Sequence, residues 1–88
     1  MKQLRITILT EQAGYKECEI SEMFSCAEED DIEVDATYDN KETFLKDFIR
    51  LIEIYRGRYY RLYSADGSTL VTGILYEYDI EVIQQLLK

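Results

Sequence analysis

The chain has 88 residues, 47% of them hydrophobic, a formal net charge of −8 and no histidine. That length supports one compact domain over residues 1–88 with a modest core, and the apolar fraction is ordinary for a globular protein. Without histidine there is no Ser-His or Cys-His nucleophile, no imidazole acid–base catalyst and no His-metal site.

No run of 18 apolar residues occurs, so no membrane span is expected. No basic segment leads into an apolar one at the start, so no signal peptide is expected and the chain reads as cytoplasmic. Cys18 and Cys26 then read as reduced thiols, with a spacing that fits no metal template. The four glycines are scattered, and none belongs to a phosphate-binding loop. No cofactor and no metal are expected.

In chain order, Lys2–Thr10 alternates, with Leu4, Ile6 and Ile8 on one side and Arg5 and Thr7 on the other, as in a strand. Glu11–Gly14 is a turn. Tyr15–Ala27 fits two periods. With period two, Tyr15–Glu22 is a strand hairpinned to the first, with Glu17 and Glu19 outward. With period 3.6, Ile20, Met23, Phe24 and Ala27 form a helical stripe. The strand is preferred, followed by a short segment anchoring Met23 and Phe24. Glu28–Asp31 is a charged loop. Ile32–Tyr38 is a strand with Ile32, Val34, Ala36 and Tyr38 inward and Glu33, Asp35 and Thr37 outward.

A long helix is expected over Lys41–Arg56. Asp39 or Asn40 caps it, and Gly57 stops it. Phe44, Leu45, Phe48, Ile49, Leu51, Ile52 and Tyr55 fall on an arc of about 160°, while Ile54 falls among the polar residues. Arg58–Ser64 and Ser68–Tyr76 form a hairpin around Ala65-Asp66-Gly67. A two-residue loop pairs Leu62 with Val71 and Tyr60 with Gly73. A three-residue loop pairs Leu62 with Leu70 and Tyr60 with Thr72, and is favoured because it groups Tyr60, Leu62, Leu70 and Ile74 as core. Asp79 caps a last helix over Ile80–Leu87, with Ile80, Ile83 and Leu87 on one stripe and Val82 and Leu86 beside it. The fold class is α+β: about five mostly antiparallel strands with one long and one short helix packed on the sheet.

The charge is uneven. Residues 11–39 carry eleven acids against Lys16, whereas residues 40–61 carry six bases against three acids. Glu17, Glu19, Glu33 and Asp35 point outward on two strands joined through Glu28, Glu29, Asp30 and Asp31. If those strands are neighbours, they make a ladder of carboxylates. Like charges across a sheet destabilise it, a cost that a cationic partner would offset. Outward side chains two apart lie about 6.6 Å from each other, a spacing on the scale of the phosphates of a duplex backbone. The bland alternative is a solubilising face. A calcium site over Glu28–Asp35 lacks the glycine and spacing of an EF-hand loop.

The run Arg56-Gly57-Arg58-Tyr59-Tyr60-Arg61-Leu62-Tyr63 offers stacking and phosphate contacts for nucleic acid. Its simpler reading is alternate core tyrosines, with arginines that pair with the acidic strands or snorkel. Of the eight tyrosines, some must remain exposed in so small a core.

In size, acidity and lack of an enzyme motif, and in the acidic density of Glu17–Asp39, the chain resembles small phage and mobile-element inhibitors, including anti-CRISPR proteins that mimic DNA. The resemblance is one of overall character and assigns no residue a role. It implies a non-enzymatic inhibitor that occludes a basic, nucleic-acid-binding surface of a partner protein. The face expected to do so holds Glu17, Glu19, Glu28, Glu29, Asp30, Asp31, Glu33, Asp35 and Tyr38. The alternative is a structural protein that self-associates, as a homodimer, through a sheet edge. Direct nucleic-acid binding and carboxylate catalysis rank below these.

Overall fold

The computed structural model describes residues 3–11, 24 and 27–88. Four strands and two helices are described: β1 (Leu4–Leu9), β2 (Ile32–Tyr38), α1 (Lys41–Tyr55), β3 (Tyr59–Tyr63), β4 (Thr69–Ile74) and α2 (Tyr78–Leu86). The sheet is antiparallel, in the order β2-β1-β3-β4. The α+β class therefore holds, with four described strands rather than five. The expected strand Tyr15–Glu22 lies outside the described residues. Its expected partner β1 has β2 on one side and β3 on the other.

Period-two alternation places Leu4, Ile6 and Ile8 on the helix-covered face, all buried. The opposite face is not open throughout, because Thr7 and Leu9 are buried there too. Leu9 packs with Phe24, Ala27 and Tyr59, so the expected anchoring role of Phe24 is seen. On β2, Val34, Ala36 and Tyr38 pack against the core as alternation requires. Ile32 does not. An irregularity between Ile8 and Leu9 pairs Ile32 with Leu9, taking it off the core-facing row and leaving it exposed.

Asn40, not Asp39, caps α1: its Oδ1 accepts a hydrogen bond from the Thr43 N–H at 2.8 Å. The apolar arc buries Phe44, Phe48, Leu51 and Ile52. Fully burying each such side chain is worth about 1.5–3 kcal/mol. Ile54 is exposed, as its position predicts, but so is Ile49 at the margin of the arc.

The aromatic core forms a ladder under the sheet. Ring centroids are 5.4 Å apart for Tyr38–Phe44, 5.3 Å for Phe44–Phe48 and 5.6 Å for Phe48–Tyr60. Both ends of this ladder are hydrogen-bonded to carboxylates: Tyr38 donates to Asp47, and Tyr60 donates to Asp79 Oδ2 at 2.8 Å. A buried ring with a polar tip needs such a partner.

The hairpin uses both registers. At the turn, Tyr63 lies opposite Thr69, the Ser64 N–H donates to the Ser68 carbonyl, and Gly67 has φ +87°, as in a three-residue loop. A bulge at Leu70 then shifts the ladder, so that Leu62 lies opposite Val71 and Tyr60 opposite Gly73. The favoured register is thus corrected over most of the hairpin. The packing reason is at Gly73, where a Cβ would stand 3.4 Å from both Tyr60 Cε1 and Asp79 Oδ2. A side chain there would sit in close van der Waals contact with the buried Tyr60–Asp79 pair.

The last helix starts two residues earlier than expected, at Tyr78, and Asp79 is not its cap. Its carboxylate lies inside the first turn and accepts the Tyr60 hydroxyl instead. Ile83 is buried, and Ile80 and Leu87 pack on the core, whereas Tyr78, Val82 and Leu86 are exposed.

Candidate functional site: an acidic sheet edge

The densest described acidic stretch begins at Glu28 and continues into the edge strand β2. A single 3-10 turn, Glu29–Asp31, leads into that strand. Short-range bonding holds it in place. The Asp31 N–H donates to the Glu28 carbonyl at 2.9 Å, and the Glu28 N–H donates to Asp31 Oδ2 at 2.9 Å. The Thr10 N–H donates to the Asp31 carbonyl at 2.8 Å, which ties the turn to the end of β1. Acids in a first helical turn also suit its dipole. Of the four charges, Asp31 therefore serves the turn itself. Glu28, Glu29 and Asp30 are exposed at the corner of the sheet, and Glu29 and Asp30 have no cationic partner among the described residues.

Farther along β2 the carboxylates are partnered. Arg5, outward on β1, makes two bonds to Asp35, 2.8 Å from Nε to Oδ1 and 2.9 Å from Nη2 to Oδ2. This fork holds the Asp35 carboxyl below the usual carboxylate range. Arg58 Nη1 stands 3.4 Å from Glu33 Oε1. Glu17 and Glu19 lie outside the described residues. Among the described residues, the expected face of carboxylates is an exposed acidic corner followed by Glu33 and Asp35, already bridged to arginines.

Tyr38 belongs to the other side of β2. It is half-buried against Phe44, and its hydroxyl donates to Asp47, which also accepts from Arg50 Nε at 2.5 Å. Arg50, then Tyr38, hold the Asp47 carboxyl low, while burial and Asp47 push the Tyr38 phenol up. This side chain stabilises the join between β2 and α1.

The basic–aromatic run is committed to contacts within the chain. Tyr60 is buried, and Tyr59 and Tyr63 are half-buried. Arg56 pairs with Glu77, and Arg58 reaches Glu33. Arg61 Nε donates to Thr72 Oγ1 at 3.0 Å, and its guanidinium lies 4.8 Å from the centre of the Phe24 ring. The simpler reading of this run holds for the buried Tyr60 and for Arg58, which reaches the acidic strand, whereas Arg56 and Arg61 make the contacts given above to residues elsewhere.

The residue that sequence reasoning missed is Arg5, which neutralises Asp35 in the acidic row. Alternation on β1 points Arg5 outward, but only the β1–β2 register, with Arg5 opposite Thr37, brings it diagonally onto Asp35. Among the described residues, no group of three or more Cys, Asp or Glu side chains is placed to hold a metal ion. No described helix is long and apolar enough to cross a membrane. No protein-family model, curated relative or solved structure matches the chain.

Proposed function

We propose that the chain is a non-enzymatic protein-binding module that occludes a basic, nucleic-acid-binding surface of a partner with its acidic edge. The observation that carries this reading is the pinned turn, which presents Glu28, Glu29 and Asp30 together at a sheet corner. A pre-ordered anion cluster loses little conformational entropy on docking, which favours association. The bridged carboxylates of Glu33 and Asp35 extend the same edge, and a partner's arginines would share them with Arg58 and Arg5. The net charge of −8 steers the whole molecule toward a basic surface and away from nucleic acid.

The test is capture of partners from the host's own lysate by tagged protein, with and without excess duplex DNA. The wild type is expected to capture a nucleic-acid-binding protein that DNA releases. The variant Glu28→Gln/Glu29→Gln/Asp30→Asn, which leaves the structural Asp31 in place, is expected to lose it. Capture of the same set by this variant would refute the reading.

A further inference from the structure

The far edge of the sheet differs in kind from the acidic one. Strand β4 has no second neighbour among the described residues, so alternate residues turn their N–H and C=O groups away from the sheet. Its sequence, Thr69-Leu70-Val71-Thr72-Gly73-Ile74, contains no charge. The other edge strand carries Glu33 and Asp35, so a second copy pairing there would bring like charges together. Edge charges of that kind guard a strand against self-pairing, and β4 has no such guard.

An exposed apolar stripe accompanies this edge. Tyr78, Val82 and Leu86 recur every four residues on α2 and are 67%, 51% and 43% exposed. Leu86 and Leu70 line one groove of about 510 Å³, whose rim also carries Lys41, Glu42 and Lys88. Tyr78 in turn stacks on the exposed Tyr76, with ring centroids 5.7 Å apart. An uncharged strand is thus followed by a helix that carries an exposed stripe of apolar side chains. Aromatic and apolar side chains without charge are what the centres of interfaces are made of.

We infer that this surface is the contact between two copies of the chain: β4 pairs antiparallel with β4 of a second copy, and the Val82–Leu86 stripes meet across the twofold axis. A second copy is the occupant favoured by charge. Each chain carries −8, so two copies repel overall, and the uncharged β4 strand is a place where they can meet without adding a like-charge contact. A twofold axis needs a self-complementary surface, and an uncharged antiparallel strand satisfies that with no like-charge contact. A standard interface takes about 800 Å² from each partner. The six-residue edge is about 20 Å long. The dimer would hold an eight-stranded sheet with the two acidic edges at its outer limits. The inference is independent of the acidic-edge reading, since it concerns the opposite side of the sheet.

The test is light scattering on the full chain across a concentration series at low and moderate salt. The expected mass rises toward twice 10.4 kDa, and it does so more readily at the higher salt, because screening weakens the repulsion between copies. Val82→Glu/Leu86→Glu, at two exposed positions, is expected to raise the dissociation constant about 100-fold with the thermal midpoint of the monomer kept. Ile32→Glu on the opposite edge leaves association unchanged. The inference is overturned by a monomer at every concentration and salt. It is equally overturned by a dimer that weakens with salt, or by one that survives the helix variant but is lost with Ile32→Glu.

Discussion

Replacing Tyr60 by Phe isolates a polar interaction buried at the centre of the fold. The ring stays, so its contact with Phe48 and its burial are retained. What is lost is the hydroxyl that donates to Asp79 at 2.8 Å. Asp79 is only 8% exposed, and the close passage of β4 at Gly73 leaves little room for water to replace the donor. A hydrogen bond to a charged group is worth about 1.5–3 kcal/mol, and removing one partner strands the other. The expected cost is about 2 kcal/mol, a sizeable part of the roughly 9 kcal/mol typical of a domain this size. Guanidinium unfolding followed by far-UV circular dichroism at pH 7 measures it, and the thermal midpoint should fall by about 10 °C. Paired with Asp79→Asn in a double-mutant cycle, the two changes should cost less together than their sum, because they remove the same bond. Burial first, and then Asp79, push the Tyr60 phenol well above its usual value. The folded state therefore favours the neutral phenol. That stability is complete below about pH 10 and declines above it by about 1.4 kcal/mol per pH unit. The Phe variant lacks this decline, so the gap between the two proteins should narrow above pH 10. A cost under about 0.5 kcal/mol at pH 7, or a gap that stays constant into alkali, would refute the assignment of a buried donor to Asp79.

Two further predictions concern local structure. Asn40→Ala should cost about 1 kcal/mol in urea unfolding, while Asp39→Ala should cost only a few tenths, because only Asn40 caps α1. At the hairpin, the Ser64 hydroxyl and the Ser68 N–H hold Asp66 down to about 2. A lowered carboxyl contributes stability above its unfolded value near 4, and that contribution is lost as pH falls toward 2. The acid limb of a circular dichroism titration should therefore be shallower for Asp66→Ala than for the wild type, starting from a lower stability at pH 7.

The two predicted helices, the Asp-Gly hairpin and the strands at Lys2–Thr10 and Ile32–Tyr38 were legible because each rests on a local rule. Periods of 3.6 and 2 follow from backbone geometry alone, and a glycine at φ +87° or an amide-bearing cap acts over three or four residues. Exclusions read from composition, such as imidazole chemistry, likewise need no fold. Tertiary structure decided whatever depends on residues distant in sequence. The hairpin slips register at Leu70, which sets Gly73 opposite Tyr60 and beside Asp79 on the helix that follows the strand. Asp79 looks like a cap until Tyr60, nineteen residues earlier, supplies a buried hydroxyl. Acidic alternation on β2 reads as a free face until strand order brings Arg5 across to Asp35 and Arg58 to Glu33, thirty and twenty-five residues away. Charge and apolarity belong to the sequence. Which charges are already neutralised, and which apolar side chains of α2 stay exposed, is settled only when the elements pack, because solvation and Coulomb energies depend on neighbours in space.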